Sequence, residues 1–340
     1  MKPDHVLKVF LTVDTELWPN AAGWPHQPLP AGRRLDQELA ADIHGLTDRG
    51  GYGLPYQLGV LRYHGLLANY FVEGLFPQQA GLEPLRHIVG LVQRAGQQVE
   101  LHLHPEWATA PGDGRAQAQV CQYLCRLPVE RQSALIRQAI ANLRAAGAGP
   151  LQAFRAGSFG ADRVTLRALA ENGLRYDSSY SPSFPIGAWG QPISQPVLID
   201  GVWEFPVSSF RDFPGHVRHA QLCACSDREL THALESAWRA RWPAFVIVLH
   251  SFEMVRKRDG GRLPVPEWPV IRRYERLCAF LGRHRERFQT ALFRDWEDGA
   301  LAMPATSATS APQTLLRSRP KDTLARMAQQ AWSQAWRRIS

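Results

Sequence analysis

Lys8-Val9-Phe10-Leu11-Thr12-Val13-Asp14-Thr15-Glu16 is an apolar run that closes on two acids spaced by two. Side chains alternate across a strand, so Asp14 and Glu16 leave its end on one face. Glu100-Leu101-His102-Leu103-His104-Pro105 repeats the figure with imidazoles at His102 and His104. Two carboxylates and two imidazoles meeting at neighbouring strand ends make a divalent-cation site with one carboxylate to spare.

Working outward, apolar and β-rich runs recur at Val6–Val13, Leu66–Val72, Val99–Leu103, Leu151–Phe154, Trp203–Val207 and Phe245–Leu249, with a further one at Thr290–Phe293. Apolar positions at three-and-four spacing predict helices over Leu82–Ala95, Pro128–Ala146, Asp162–Asn172, Asp227–Trp242 and Val270–Phe288. Ser226-Asp227-Arg228-Glu229 fits a capping box that opens one of them. Strands alternating with helices predict a mostly parallel α/β sheet. Arg155 follows one apolar run and His250 another, the carboxyl-end placement of α/β barrels and open parallel sheets. With seven or so strands and one set of reactive residues, a barrel is the more economical expectation.

The segment Leu17–Gly59 falls outside this rhythm. It is rich in Gly and Pro, holds Trp18, Trp24 and Tyr52, and reads either as a lid over the strand ends or as a surface insertion.

The chain has 340 residues, 45% of them hydrophobic, enough for a sizeable core. No apolar run is long enough to span a bilayer, and no signal peptide is read at the start, so a cytoplasmic protein is expected. Five cysteines, including Cys223-Ala224-Cys225, are an odd set without a second zinc-finger pair, and reduced thiols are expected. The net charge of +8 hints at an anionic partner, but Arg317–Ser340 holds six Lys/Arg against one Asp and leaves only +3 elsewhere. The excess is therefore a tail property, and a nucleic-acid function is not expected.

In the cation site, His102, His104 and Glu16 would supply the ligands, zinc being the expected metal. A metal acidifies water and polarises a carbonyl, and an unligated carboxylate takes the released proton, which makes Asp14 the natural base. Glu106, four residues after His102, is either an alternative ligand or a solvated residue opening a loop. Asp177, in Tyr176-Asp177-Ser178-Ser179, either bonds a site residue or closes a turn. Glu73 reads as a rim residue or as one pointing into the barrel mouth.

On these motifs the chain resembles the NodB-homology polysaccharide deacetylases, carbohydrate esterase family 4 in the broad sense. Thr12–Glu16 is similar to that family's Thr-Phe-Asp-Asp-Gly, Glu100–Pro105 to its His-Ser/Thr-x-x-His-Pro, Phe154–Gly160 to its Arg-x-Pro-aromatic-Gly, and Val248–His250 to its Leu-His motif. The departures are Thr15 where the family has its metal-binding Asp, histidines two rather than four apart, and Gly157 in place of Pro. The resemblance implies a distorted (β/α)7-type barrel over residues 1–300 and a divalent metal. It also implies Asp14 as base, Arg155 orienting Asp14, and His250 as the acid that protonates the leaving amine. The implied activity is metal-dependent removal of an N-acyl group, usually N-acetyl, from a sugar of a polysaccharide or a lipid- or nucleotide-linked glycan. Trp18 and Trp107 would stack on sugar faces. Alternatives on the same barrel are a deformylase, a metal-free allantoinase-like hydrolase, or a catalytically inactive glycan-binding protein.

Beyond the barrel, residues 303–316 read as a Pro/Ser/Thr/Ala linker and 317–340 as a basic amphipathic helical tail. There Leu324, Met327, Ala331, Trp332, Ala335, Trp336 and Ile339 form one apolar stripe flanked by Arg326, Arg337 and Arg338. Such a helix suits the interface of an anionic membrane, or packs on this domain or a partner.

Overall fold

The computed structural model describes residues 5–19, 24–26, 35–108, 121–190, 192–258, 263–296 and 315–339. Seven parallel strands follow one another round a curled sheet. They are β1 (Leu7–Thr15), β2 (Asn69–Glu73), β3 (Gln98–Leu103), β4 (Ala153–Ala156), β5 (Tyr176–Asp177), β6 (Val202–Glu204) and β7 (Ala244–His250). Their order is β7-β1-β2-β3-β4-β5-β6, with Asp14 beside His250 in one register and Glu73 beside His102 and His102 beside Arg155 in others. Helices α1 (Leu54–His64), α2 (Glu83–Arg94), α3 (Val129–Ala145), α4 (Arg163–Glu171), α5 (Asp227–Arg239) and α6 (Trp268–Arg283) connect or follow the strands. This is the distorted α/β barrel expected from the sequence. Between β6 and β7 the ring closes without a regular ladder: Ser208 exchanges bonds with Val246, and Ala220 and Leu222 bond Val248.

The alternation of β1 decides which side chains line the ring. Leu7, Val9, Leu11 and Val13 pack outward into the main core with the helices. Phe10 points inward, where it meets Phe71, Tyr176, Phe205, Val246, Phe293 and Trp296 in a second cluster. Phe293 and Trp296 arrive after Phe288–Thr290, which pairs with the start of β1, so the chain turns under the barrel and plugs its base. Thr12 and Asp14 follow Phe10 on the inner face, and the site stands on an aromatic floor.

Several expectations are refined. Leu17–Gly59 is more than a lid, since Leu35, Ile43 and Leu54 are buried in the main core and α1 begins inside it. The sheet is not wholly parallel: Val197–Ile199 runs antiparallel to β6, and Ser209–Phe213 pairs antiparallel with His216–His219. Of the expected linker only Leu315 and Leu316 lie among the described residues. Leu316–Arg317 forms a short strand beside Phe210–Arg211, and the tail helix α7 runs from Pro320 to Ile339.

Candidate metal centre and its proton-transfer groups

Strand β1 delivers Asp14 and Glu16, and β3 delivers His102 and His104, onto the inner face at the carboxyl end of the sheet. His102 Nε2 lies 3.5 Å and His104 Nε2 2.8 Å from Glu16 Oε2. The three residues are buried, and their ligand atoms lie within 4.8 Å of one another, the group of three among the described residues that fits a metal ion. The second nitrogens of the two rings differ in their surroundings. His102 Nδ1 donates to the backbone carbonyl of Arg155 at 2.8 Å, and His104 Nδ1 stands 3.4 Å from Glu106 Oε2. The bond to Arg155 fixes the His102 tautomer and leaves its Nε2 free to ligate.

Neutral imidazoles held this way aim lone pairs at a carboxylate oxygen. That oxygen, Glu16 Oε2, is buried and has no hydrogen-bond partner. A proton on a facing Nε2 or a cation among the three atoms relieves the arrangement. Burial alone would lift the Glu16 carboxyl, yet His104 and His102 hold it well below the usual carboxylate range. Burial alone would likewise lower His104, but Glu16 and Glu106 push it well above the ordinary imidazole value. A divalent cation would take the place of that proton, and two imidazoles with one carboxylate form the donor set of many zinc hydrolases. The residues fit the metal.

Glu106 is buried rather than solvated, but it faces the wrong ring nitrogen and supports His104 from behind. Glu73, also buried, is no rim residue: Oε1 accepts from the Leu75 amide and Oε2 from the His104 amide at 2.5 Å. Burial holds its carboxyl up at about 7. Gly157 explains one departure from the family motif, because a Cβ there would lie 2.5 Å from the His104 ring.

Asp14 is set by Arg155, which is fully buried. Arg155 Nη1 donates to Asp14 Oδ1 at 2.9 Å and to Thr12 Oγ1 at 2.8 Å, while Nε and Nη2 donate to the carbonyl and hydroxyl of Ser178. The guanidinium lies over the Phe71 ring, 4.7 Å from its centroid. A fork held on every side fixes one carboxylate oxygen of Asp14 and leaves the other for chemistry. That other oxygen, Oδ2, lies 3.8 Å from His250 Nε2.

His250 ends β7, and its opposite nitrogen, Nδ1, lies 2.9 Å from Glu253 Oε1. Gln221 Nε2 donates to the same Glu253 oxygen at 2.6 Å, as does Cys223 Sγ at 3.2 Å. Burial alone would depress the imidazole, but Glu253 first and then Asp14 raise it to about 9. His250 is therefore a proton donor at neutral pH. The sequence reading did not pick out Glu253, although its position three residues after His250 was a usable signal.

Other expected residues divide. Asp177 ends strand β5 and accepts from Ser179 Oγ, which in turn accepts from the Ala156 amide. It is buried beside Glu204, and burial raises both carboxyls. Trp107 is fully buried against Trp24 and Phe76, so it has no face to offer a sugar. Trp18 is half-buried and edge-on to His104, with ring centroids 5.5 Å apart. Its amide donates to Asp42 and its carbonyl accepts from Lys257, which pairs with Asp42. All five cysteines are free thiols.

No protein-family model and no curated protein matches the chain. Solved structures do resemble it. A family 4 carbohydrate esterase from Streptomyces lividans in complex with acetate is 14% identical over 84% of this chain and 92% of that one, with a TM-score of 0.41. A putative polysaccharide deacetylase from Mycobacterium smegmatis is 17% identical over 87% and 97%, with a TM-score of 0.44. A CE4 family pseudoenzyme from Bacillus anthracis is 10% identical over 85% and 64%, with a TM-score of 0.41.

Proposed function

We propose that the protein is a metal-dependent hydrolase that removes an N-acyl group, N-acetyl in the first instance, from an amino sugar of a glycan or glycan intermediate. One observation carries the reading. The Nε2 atoms of His102 and His104 converge on Glu16 Oε2, while Asp14, two residues away on the same face, keeps one oxygen beside a proton-bearing His250.

Glu16, His102 and His104 would hold the metal, zinc by the chemistry of the donors. Lewis acidity at that place would acidify a water and polarise the acyl carbonyl. Asp14 Oδ2 takes the proton of the attacking water, and Arg155 keeps Oδ1 from turning away. His250 Nε2 delivers a proton to the departing amine, which leaves poorly as an anion. Glu253 keeps that proton available by pairing with Nδ1. Trp18 offers an apolar ring face at the edge of the site, suited to the apolar face of a sugar.

The test is turnover of N-acetylated chitooligosaccharides by zinc-loaded and chelator-treated protein, with bound zinc measured in parallel. Wild type should bind one zinc per chain and lose activity on chelation. Asp14→Asn should keep the zinc and lose activity by roughly 10²–10⁴-fold. Activity that survives chelation would favour the metal-free hydrolase, and zinc binding without turnover of any N-acyl sugar would favour a glycan-binding protein.

A further inference from the structure

Helix α7 is docked the wrong way round for a helix in water. Asp322, Thr323 and Arg326, at the spacing of one face, are buried against the barrel. Leu324 and Met327 are 65% and 50% exposed. The inward contact is ionic: Arg326 Nη2 lies 3.0 Å from Asp212 Oδ2 and Nε 3.1 Å from Glu229 Oε1. Asp212 is also held by Arg218 and His216, and Thr323 Oγ1 reaches its carbonyl. A surface helix normally buries its apolar stripe and shows its charges. This one uses a charge as the anchor and presents Leu324 and Met327 outward.

From this inverted docking we infer that α7 is a membrane-surface element, held on the barrel by Arg326, whose apolar stripe enters the interface of an anionic bilayer. The surrounding charge fits that occupant. Arg317, Arg319 and Lys321 are exposed where the helix begins, and the sequence adds Arg337 and Arg338 near its end. Cations beside an apolar stripe match anionic headgroups above acyl chains. A nucleic acid would use the cations but not Leu324 and Met327, and a protein groove would use the stripe without needing the cations. No helix among the described residues is long and apolar enough to cross a membrane, so the contact is with the surface. The inference does not depend on which reaction the barrel performs.

The experiment is flotation of the full chain with vesicles of equal parts phosphatidylglycerol and phosphatidylcholine, and with phosphatidylcholine alone. Wild type should float with the anionic vesicles, less so in high salt, and stay behind with the neutral ones. Leu324→Glu with Met327→Glu should lower the partition by about tenfold or more while leaving zinc content and melting temperature as in wild type. Leu324→Gln with Met327→Gln serves if the charged pair misfolds. No flotation of wild type, or equal flotation of both variants, overturns the inference. A vesicle-free dimer that either variant splits also overturns it, because the stripe would then be an interface between copies.

Discussion

Gly157 and His104 occupy one space, so the absence of a side chain at 157 is a condition for the imidazole being where it is. Gly157→Ala places a methyl 2.5 Å from the ring. The ring must move away from Glu16, and zinc affinity should fall by about 10–100-fold, the scale of a disturbed ligand support, as read by competition with a chelator. His250 gives a second residue-scale prediction. Its imidazolium is favoured by Glu253 and Asp14 with a pKa near 9, so activity that needs the proton is retained below that value and lost as pH rises through it. Glu253→Gln removes the largest of the anionic supports, and the alkaline limb of kcat should move toward the ordinary imidazole value near 6.5. An unmoved limb would assign it to another group.

At the scale of elements, α5 shows how much local sequence can say. Ser226 accepts from the Glu229 amide and Glu229 bonds back to Ser226, the reciprocal pair read from the four-residue motif. Ser226→Ala should cost about 1 kcal/mol, measured as a lower urea midpoint with unchanged slope. The strands carrying Asp14, His102, Arg155 and His250 were legible for a related reason: each buries one or both faces, so composition and alternation agree with the tertiary outcome. Glu106 and Trp107 were misread because a short turn after β3 carries no period from which burial can be judged. The helix α1 was hidden in a segment whose glycines read as loop, although Gly53 and Gly65 flank it. The closure through Ser208 could not be read at all, since it rests on isolated backbone bonds between distant segments. The stripe on α7 was legible, but which face the barrel would hold was decided by Asp212 and Glu229, more than ninety residues earlier in the chain.

For the molecule as a whole, buried carboxyls shape the dependence of stability on pH. Burial raises Glu100 from 4.5 to about 8, although its Oε2 accepts from the amides of Gln152 and Ala153. Between those values the folded chain binds more protons than the unfolded chain, so this group's contribution is present at low pH and is lost as pH rises from about 4.5 toward 8. Glu100→Gln should flatten that decline, which melting temperatures across the interval will show. The ring itself has a further consequence. Asp14, Glu16, His102, His104, Arg155 and His250 all ride on or beside the unbroken arc β7-β1-β2-β3-β4, and the irregular join through Ser208 is made to the far edge of β7, at Val246 and Val248. The irregular join thus reaches the site, since Gln221, between Ala220 and Leu222, donates to Glu253 Oε1 behind His250. A displacement of that join would be felt first at His250, while Asp14, Glu16, His102 and His104 on β1 and β3 would keep their mutual spacing.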